Sequence, residues 1–198
     1  GYQPGEALTA RGVAFRVAPR LNAAGRMDDP SAAVELFLSD DPERARELAA
    51  RLDQLNSDRR NTDAGIYREI LDLCERDPVT DEHMVLVFSA PGWNRGVIGI
   101  VAGRLAEQFH RPVFVLSEDP ETGEAHGSAR SAGVLHMVEA LESMPDLFLR
   151  FGGHSHAAGL SLPSGKIGEF RSRINSYAAG KLTPEDLRQR LDIDAVVD

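Results

Sequence analysis

From Pro42 to about Arg76 the chain carries apolar residues at helical spacing for longer than most globular helices run. Yet the middle of that stretch is polar on every side. Ala45, Leu48, Ala49, Leu52 and Leu55 repeat in the first half, and Ile66, Ile70, Leu71 and Cys74 in the second. Between them lies Asn56-Ser57-Asp58-Arg59-Arg60-Asn61-Thr62-Asp63. One helix over this span would reach about 50 Å at about 1.5 Å per residue. No single core can cover a polar midsection of that kind, so a helix bridging two domains reads this way. Two helices broken near Asn56 read equally from the same letters. In front of it, Ala33, Leu36 and Phe37 share one face of a shorter helical run from Ser31. Residues 1–30, with Pro4, Pro19, Pro30 and several glycines, read as irregular.

After Pro78 the rhythm changes to strand alternating with helix. Met84–Phe88, Val113–Leu116, residues 124–130 and Gly159–Leu162 read as strands, with Pro120-Glu-Thr-Gly123 as a turn. Helices are expected over Val97–Phe109, Leu135–Met144 and Ile167–Ala178, and another start at Thr183-Pro-Glu-Asp. Leu191–Asp198 reads as a final strand. The expected fold is α/β, a mixed and largely parallel sheet flanked by helices, preceded by a long interdomain linker helix. The corresponding division is 1–30, 31–77, 78–180 and 181–198.

Composition excludes some classes. No run approaches the roughly 18 unbroken apolar residues of a membrane span, and the N-terminus has no signal-peptide pattern. The lone Cys74 suits a reducing cytoplasm and a packed helix face. A net charge of −9 argues against a protein that coats nucleic acid broadly. The basic excess is local: residues 1–27 hold Arg11, Arg16, Arg20 and Arg26 against Glu6, summing to +3 and leaving −12 elsewhere. Only Lys166 and Lys181 are lysines. Arginine's fork suits bidentate phosphate contacts, although a genomic composition bias yields the same preference.

Several short segments could carry chemistry. Gly127-Ser128-Ala129-Arg130-Ser131 sets two hydroxyls and a guanidinium at a strand end, where α/β sheets bind ligands; a capping serine and a surface arginine are the plainer alternative. Gly152-Gly153-His154 lets backbone N–H groups approach an anion beside an imidazole, or simply makes a turn. Trp93-Asn94-Arg95-Gly96 opens a helix whose Gly96 and Gly99 permit either close packing or anion binding. Arg20-Leu-Asn22-Ala-Ala-Gly-Arg26 reads as an exposed loop, or as a contact to something outside this chain. His154-Ser-His156 lacks a third ligand, so no metal site is expected within the chain. Asp28-Asp29 and Asp40-Asp41 read as helix caps.

In this order, with Phe151-Gly-Gly-His-x-x-Ala-Ala-Gly159 last, the segments resemble the RecJ family of single-strand-specific exonucleases. The Phe-Gly-Gly-His segment alone would indicate only the DHH-associated domain of the wider phosphoesterase superfamily; Asn-Ala-Ala-Gly-Arg narrows it to RecJ. The resemblance implies a metal-binding domain, with Mn2+ or Mg2+, preceding this chain as its intramolecular partner, and an oligonucleotide-binding barrel following it. Nothing here resembles the Asp-His-His motif, so the chain would be inactive alone. It implies 5′→3′ hydrolysis of single-stranded DNA in repair and recombination, by a monomeric, cytoplasmic, bacterial protein without membrane contact. Ser128 and Arg130, with Ser131, match the group that holds the strand's 5′ phosphate. His154, with Gly152 and Gly153, matches the group facing the phosphate near the metals. Arg26 matches the arginine reaching toward the cleft, with Asn22 and Arg20 in its segment. Asn94, ahead of Gly96, stands where the family commonly has histidine, so any role needing an imidazole there is lost. The competing readings are a phosphatase of short oligoribonucleotides or small phosphonucleotides, and a non-catalytic nucleic-acid-binding module.

Overall fold

The computed structural model describes residues 7–189, so the expected strand at 191–198 lies outside the described residues. The chain forms two compact units divided between Gly65 and Ile66. Helix α4 (Pro42–Arg76) is unbroken through the polar midsection, which decides between one helix and two.

The first unit is helical from early on. Helix α1 (Ala10–Gly12) passes through a π-helical turn at Val13–Val17 into α2 (Ala18–Met27), followed by α3 (Ser31–Leu38). The expectation of irregular structure over 1–30 is therefore corrected from residue 10 onward. Pro19 does not break the chain because it falls in the first turn of α2, where its missing N–H is not needed. Ala23 and Ala24 are fully buried against Leu48 and Leu52 of α4, and Ala32 joins them. Ion pairs Arg20–Asp53 at 2.7 Å and Arg51–Asp28 at 2.6 Å fasten α2 and its end to α4. Asp29 and Asp41 cap helix starts as expected, accepting from the Ser31 and Glu43 N–H groups. Phe37 does not share the inward face of Ala33 and Leu36; it is 73% exposed.

The second unit is a five-stranded mixed sheet in the order β1-β2-β3-β5-β4. Its strands are β1 (Leu86–Pro91), β2 (Val113–Asp119), β3 (Glu124–Arg130), β4 (Arg150–His154) and β5 (Ala157–Pro163). The α/β class holds, but the balance of strand directions is the reverse of that expected. Only β1 and β2 are parallel, joined through α5 (Ile98–Phe109). The other three pairings are antiparallel. Short connections impose two of these, β2–β3 and β4–β5, since a tight turn can join only antiparallel neighbours. The 120–123 turn links β2 to β3, with Gly123 at φ 69°, and two residues link β4 to β5.

One sheet face packs on α6 (Met137–Glu142) and α7 (Ile167–Ala179). Phe114, Leu116, Ala129, Leu160 and Leu162 meet Met137, Leu141, Phe170 and Ile174 there, with Phe114 and Phe170 edge-to-face at 5.0 Å. On the outer edge of the sheet, Asn175 accepts from the Val85 N–H and donates to the Val85 carbonyl, both at 3.0 Å. A side-chain amide thereby occupies the place of a sixth strand. Among the described residues no helix is long and apolar enough to cross a membrane.

Candidate nucleic-acid interface

Alternation along β3 sends Ala125 and Ala129 into the core, so His126, Ser128 and Arg130 stand on the opposite face. Register extends that face across two more strands. Arg130 pairs with Ala157 and Ala157 with His154; Ser128 pairs with Gly159 and Gly159 with Gly152; His126 pairs with Ser161 and Ser161 with Arg150. Three rows thus cross the sheet, the central one floored by glycine. Gly152, Gly159, His154 and Arg150 are exposed and Ala157 half-buried. They form an open shelf with basic residues at its corners.

Helix α5 walls one side of the shelf. A Cβ on Gly99 would lie 2.9 Å from Ser128 Oγ and 3.4 Å from Arg130 Nη2, so glycine lets the first turn of α5 come down on this pair. The positive end of the helix dipole is thereby brought to the two donors. The Arg130 guanidinium donates to Ser128 Oγ at 3.3 Å and to the Ala129 carbonyl at 2.7 Å, which orients its fork along the strand. Asn94 sets the start of α5: its Oδ1 accepts from the Gly96 N–H at 2.8 Å, and its carbonyl from those of Val97 and Ile98.

Opposite the helix, the β4–β5 hairpin presents His154. Gly153 is required there, at φ 150°, because a Cβ would lie 2.3 Å from the Ala157 carbonyl oxygen. His154 Nδ1 accepts from the His156 N–H at 3.2 Å, which leaves the proton of a neutral ring on exposed Nε2, able to donate to an anion. The hairpin tip is tied to the segment after β3, where the Ser131 and Met137 N–H groups donate to the carbonyls of His156 and Ser155.

The structure therefore brings together Ser128, Arg130, Gly152, Gly153 and His154. Ser131 is apart from them: its hydroxyl is buried, donating to the Leu135 carbonyl and accepting from the Leu135 N–H at 3.1 Å. That closes a turn and withdraws Ser131 from the ligand-binding set. Asn94 and Gly96 act at the helix start. Arg20, Asn22 and Arg26 belong to the first unit, on helix α2 rather than the expected loop. There Asn22 and Arg26 are exposed, while Arg20 is held by Asp53 and the Arg16 carbonyl. Arg59 also belongs there; burial, opposed by Asp63 and aided by Arg26 and Arg60, lowers its affinity for a proton.

Sequence reasoning passed over Arg150 and His126. Reading Arg150-Phe-Gly-Gly-His154 as a strand would have revealed Arg150, Gly152 and His154 on one side. Among the described residues no three His, Cys, Asp or Glu side chains are grouped to hold a metal. The His154 and His156 rings stand 6.2 Å apart at a steep angle. These residues do not fit a divalent-metal centre.

Residues 82–180 match the DHHA1 domain. The chain is 40% identical over 184 residues to the single-stranded-DNA-specific exonuclease RecJ of Bacillus subtilis, covering 93% of this chain and 23% of that protein. Two crystal structures of RecJ from Thermus thermophilus superpose with TM-scores of 0.78. The Mg2+ complex is 37% identical and covers 89% of this chain and 27% of that one. The Mn2+ complex is 38% identical and covers 89% and 26%. The chain thus spans about a quarter of the length of each of these relatives.

Proposed function

The chain belongs to the DHHA1 domain family, and on that footing we propose that its shelf grips the 5′ end of a single DNA strand for hydrolysis by the full-length protein. The observation carrying this reading is the register that sets Ser128 and Arg130 across a glycine floor from Gly152 and His154. A terminal phosphate at the Ser128–Arg130 end of that floor would meet a hydroxyl, a guanidinium and a helix N-terminus. His154 would stabilise charge that develops on the scissile phosphodiester, which lies next along the strand from the bound terminal phosphate. Since the described residues do not fit a metal centre, Mg2+ or Mn2+ would be held elsewhere in the protein, and this chain contributes position and charge. Alone it would not cleave.

Arg26 and Asn22, exposed on α2, are proposed to face the metal-bearing part of the full-length protein. Phe15 is 75% exposed, Phe37 73% and Leu38 76%, which supports an intramolecular partner over the first unit. The full-length protein is proposed to be a monomeric, cytoplasmic, bacterial exonuclease acting 5′→3′ in repair and recombination. The test is Arg130→Ala in that protein: cleavage of 5′-phosphorylated single strands should fall at least about tenfold, the scale of one charge-assisted hydrogen bond. Unchanged cleavage would remove the shelf from the active site.

A further inference from the structure

Trp93, the one tryptophan of the chain, is 5% exposed, and its indole Nε1–H donates to Glu69 Oε2 at 2.9 Å. Glu69 belongs to the part of α4 that lies in the second unit. Two residues earlier on that helix, the Tyr67 hydroxyl donates to Gln108 Oε1, and the Arg104 guanidinium stands 3.8 Å from the centre of the Tyr67 ring. With about 3.6 residues per turn, Tyr67 and Glu69 fall on opposite flanks of the stripe made by buried Ile66 and Ile70. Helix α5 is thus tethered to α4 at both ends. Tyr67 takes its second half through Arg104 and Gln108, and Glu69 takes the residues ahead of its first turn through Trp93.

The tether at the helix start leads to the shelf. Asn94 follows Trp93, and its side chain and carbonyl hold the N–H groups of Gly96, Val97 and Ile98. Gly99 comes next, and a Cβ there would stand 2.9 Å from Ser128 Oγ. The first turn of α5 therefore has no spare room above Ser128 and Arg130, and a small movement of Trp93 changes where those donors sit. The plainer role for Glu69 is to satisfy a buried indole. Glu69 is exposed, however, so water would take the N–H in its place. Water cannot fasten Trp93 to α4. We propose that Glu69 is a positioning residue, which through Trp93 fixes the first turn of α5 over the Ser128–Arg130 pair. This rests on the reading of the shelf as the site that grips the strand.

The experiment measures melting temperature, and kcat and KM for cleavage of single-stranded DNA, in the full-length protein. The variants are Glu69→Ala, Glu69→Gln, Trp93→Phe and the Glu69→Ala/Trp93→Phe double, with Arg130→Ala in parallel. Glu69→Ala is expected to raise KM about fivefold, the scale of one hydrogen bond, with kcat held within about twofold. Trp93→Phe should do the same, and the double variant no more than either, because both remove one contact. Glu69→Gln keeps an acceptor for the indole and should keep most of the wild-type KM. A merely structural role would shrink the folded fraction, lowering kcat and the melting temperature while leaving KM alone, and that result overturns the assignment. An unchanged KM in Glu69→Ala, beside a KM raised by Arg130→Ala, also overturns it and leaves the shelf reading intact. If neither variant moves KM or kcat, both readings fall.

Discussion

Arg130 donates to Ser128 Oγ at 3.3 Å, and the space above this pair is set by the absence of a side chain at Gly99. Strand, helix and missing methyl together fix where two donors point.

Gly99→Ala separates stability from function. Alanine gains up to about 1 kcal/mol of helix propensity over glycine, yet its Cβ must turn the Ser128 hydroxyl away from its place 2.9 Å off. The full-length variant should melt at or above the wild-type temperature while its kcat/KM on 5′-phosphorylated strands falls about fivefold, the scale of one neutral hydrogen bond. Calorimetry and steady-state rates check the two halves separately.

The paired glycines of β4 should behave oppositely. Gly153→Ala forces a positive φ on alanine and drives its Cβ to 2.3 Å from the Ala157 carbonyl oxygen. A loss of about 2 kcal/mol or more is expected in urea unfolding. Nothing lies within 4 Å of a Cβ on Gly152. Gly152→Ala should therefore melt normally while obstructing the shelf, seen as weaker binding of phosphorylated strands.

These contrasts bear on what the sequence could disclose. The helices of the second unit were legible from apolar residues at helical spacing, and the strand at 124–130 from the turn at 120–123 that precedes it. Strand β4 was not, since Arg150-Phe-Gly-Gly-His contains one apolar residue and two glycines and reads as a loop until its partner β5 is known. The sheet's mainly antiparallel character was missed for the same reason: the β4–β5 hairpin could not be counted. Ser128 and Arg130 were readable as neighbours by alternation alone. Their distance from Ser131 in role was not, because burial of that hydroxyl depends on the turn to Leu135. The helical state of 10–27 was hidden by Pro19, whose tolerance depends on falling in a first turn.

Asn94 is expected to matter through capping. Asn94→Ala removes the acceptor for the Gly96 N–H and should destabilise the protein by about 1 kcal/mol. Asn94→Ser, which keeps an acceptor, should restore both the melting temperature and the cleavage rate. If serine restores stability and leaves the rate low, Asn94 contacts substrate directly.

Acid should loosen the connection ahead of β4. Asp146 takes paired hydrogen bonds from Arg173, at 2.6 and 2.9 Å, and these hold its carboxyl below the ordinary 3.8. A carboxyl lowered by folding adds stability above its unfolded value, and that contribution is lost as pH falls through the folded value. In urea titrations, the difference between wild type and Asp146→Asn should be constant from about pH 5 to 7 and shrink below about pH 4. A difference undiminished at about pH 3 would mean that the ion pair is not its source.

The central row of the shelf, Ser128–Gly159–Gly152, consists of peptide backbone and one hydroxyl. On the function proposed above, such a floor would meet a strand through its phosphate, a contact that carries no sequence information, so the same shelf would serve one terminus after another.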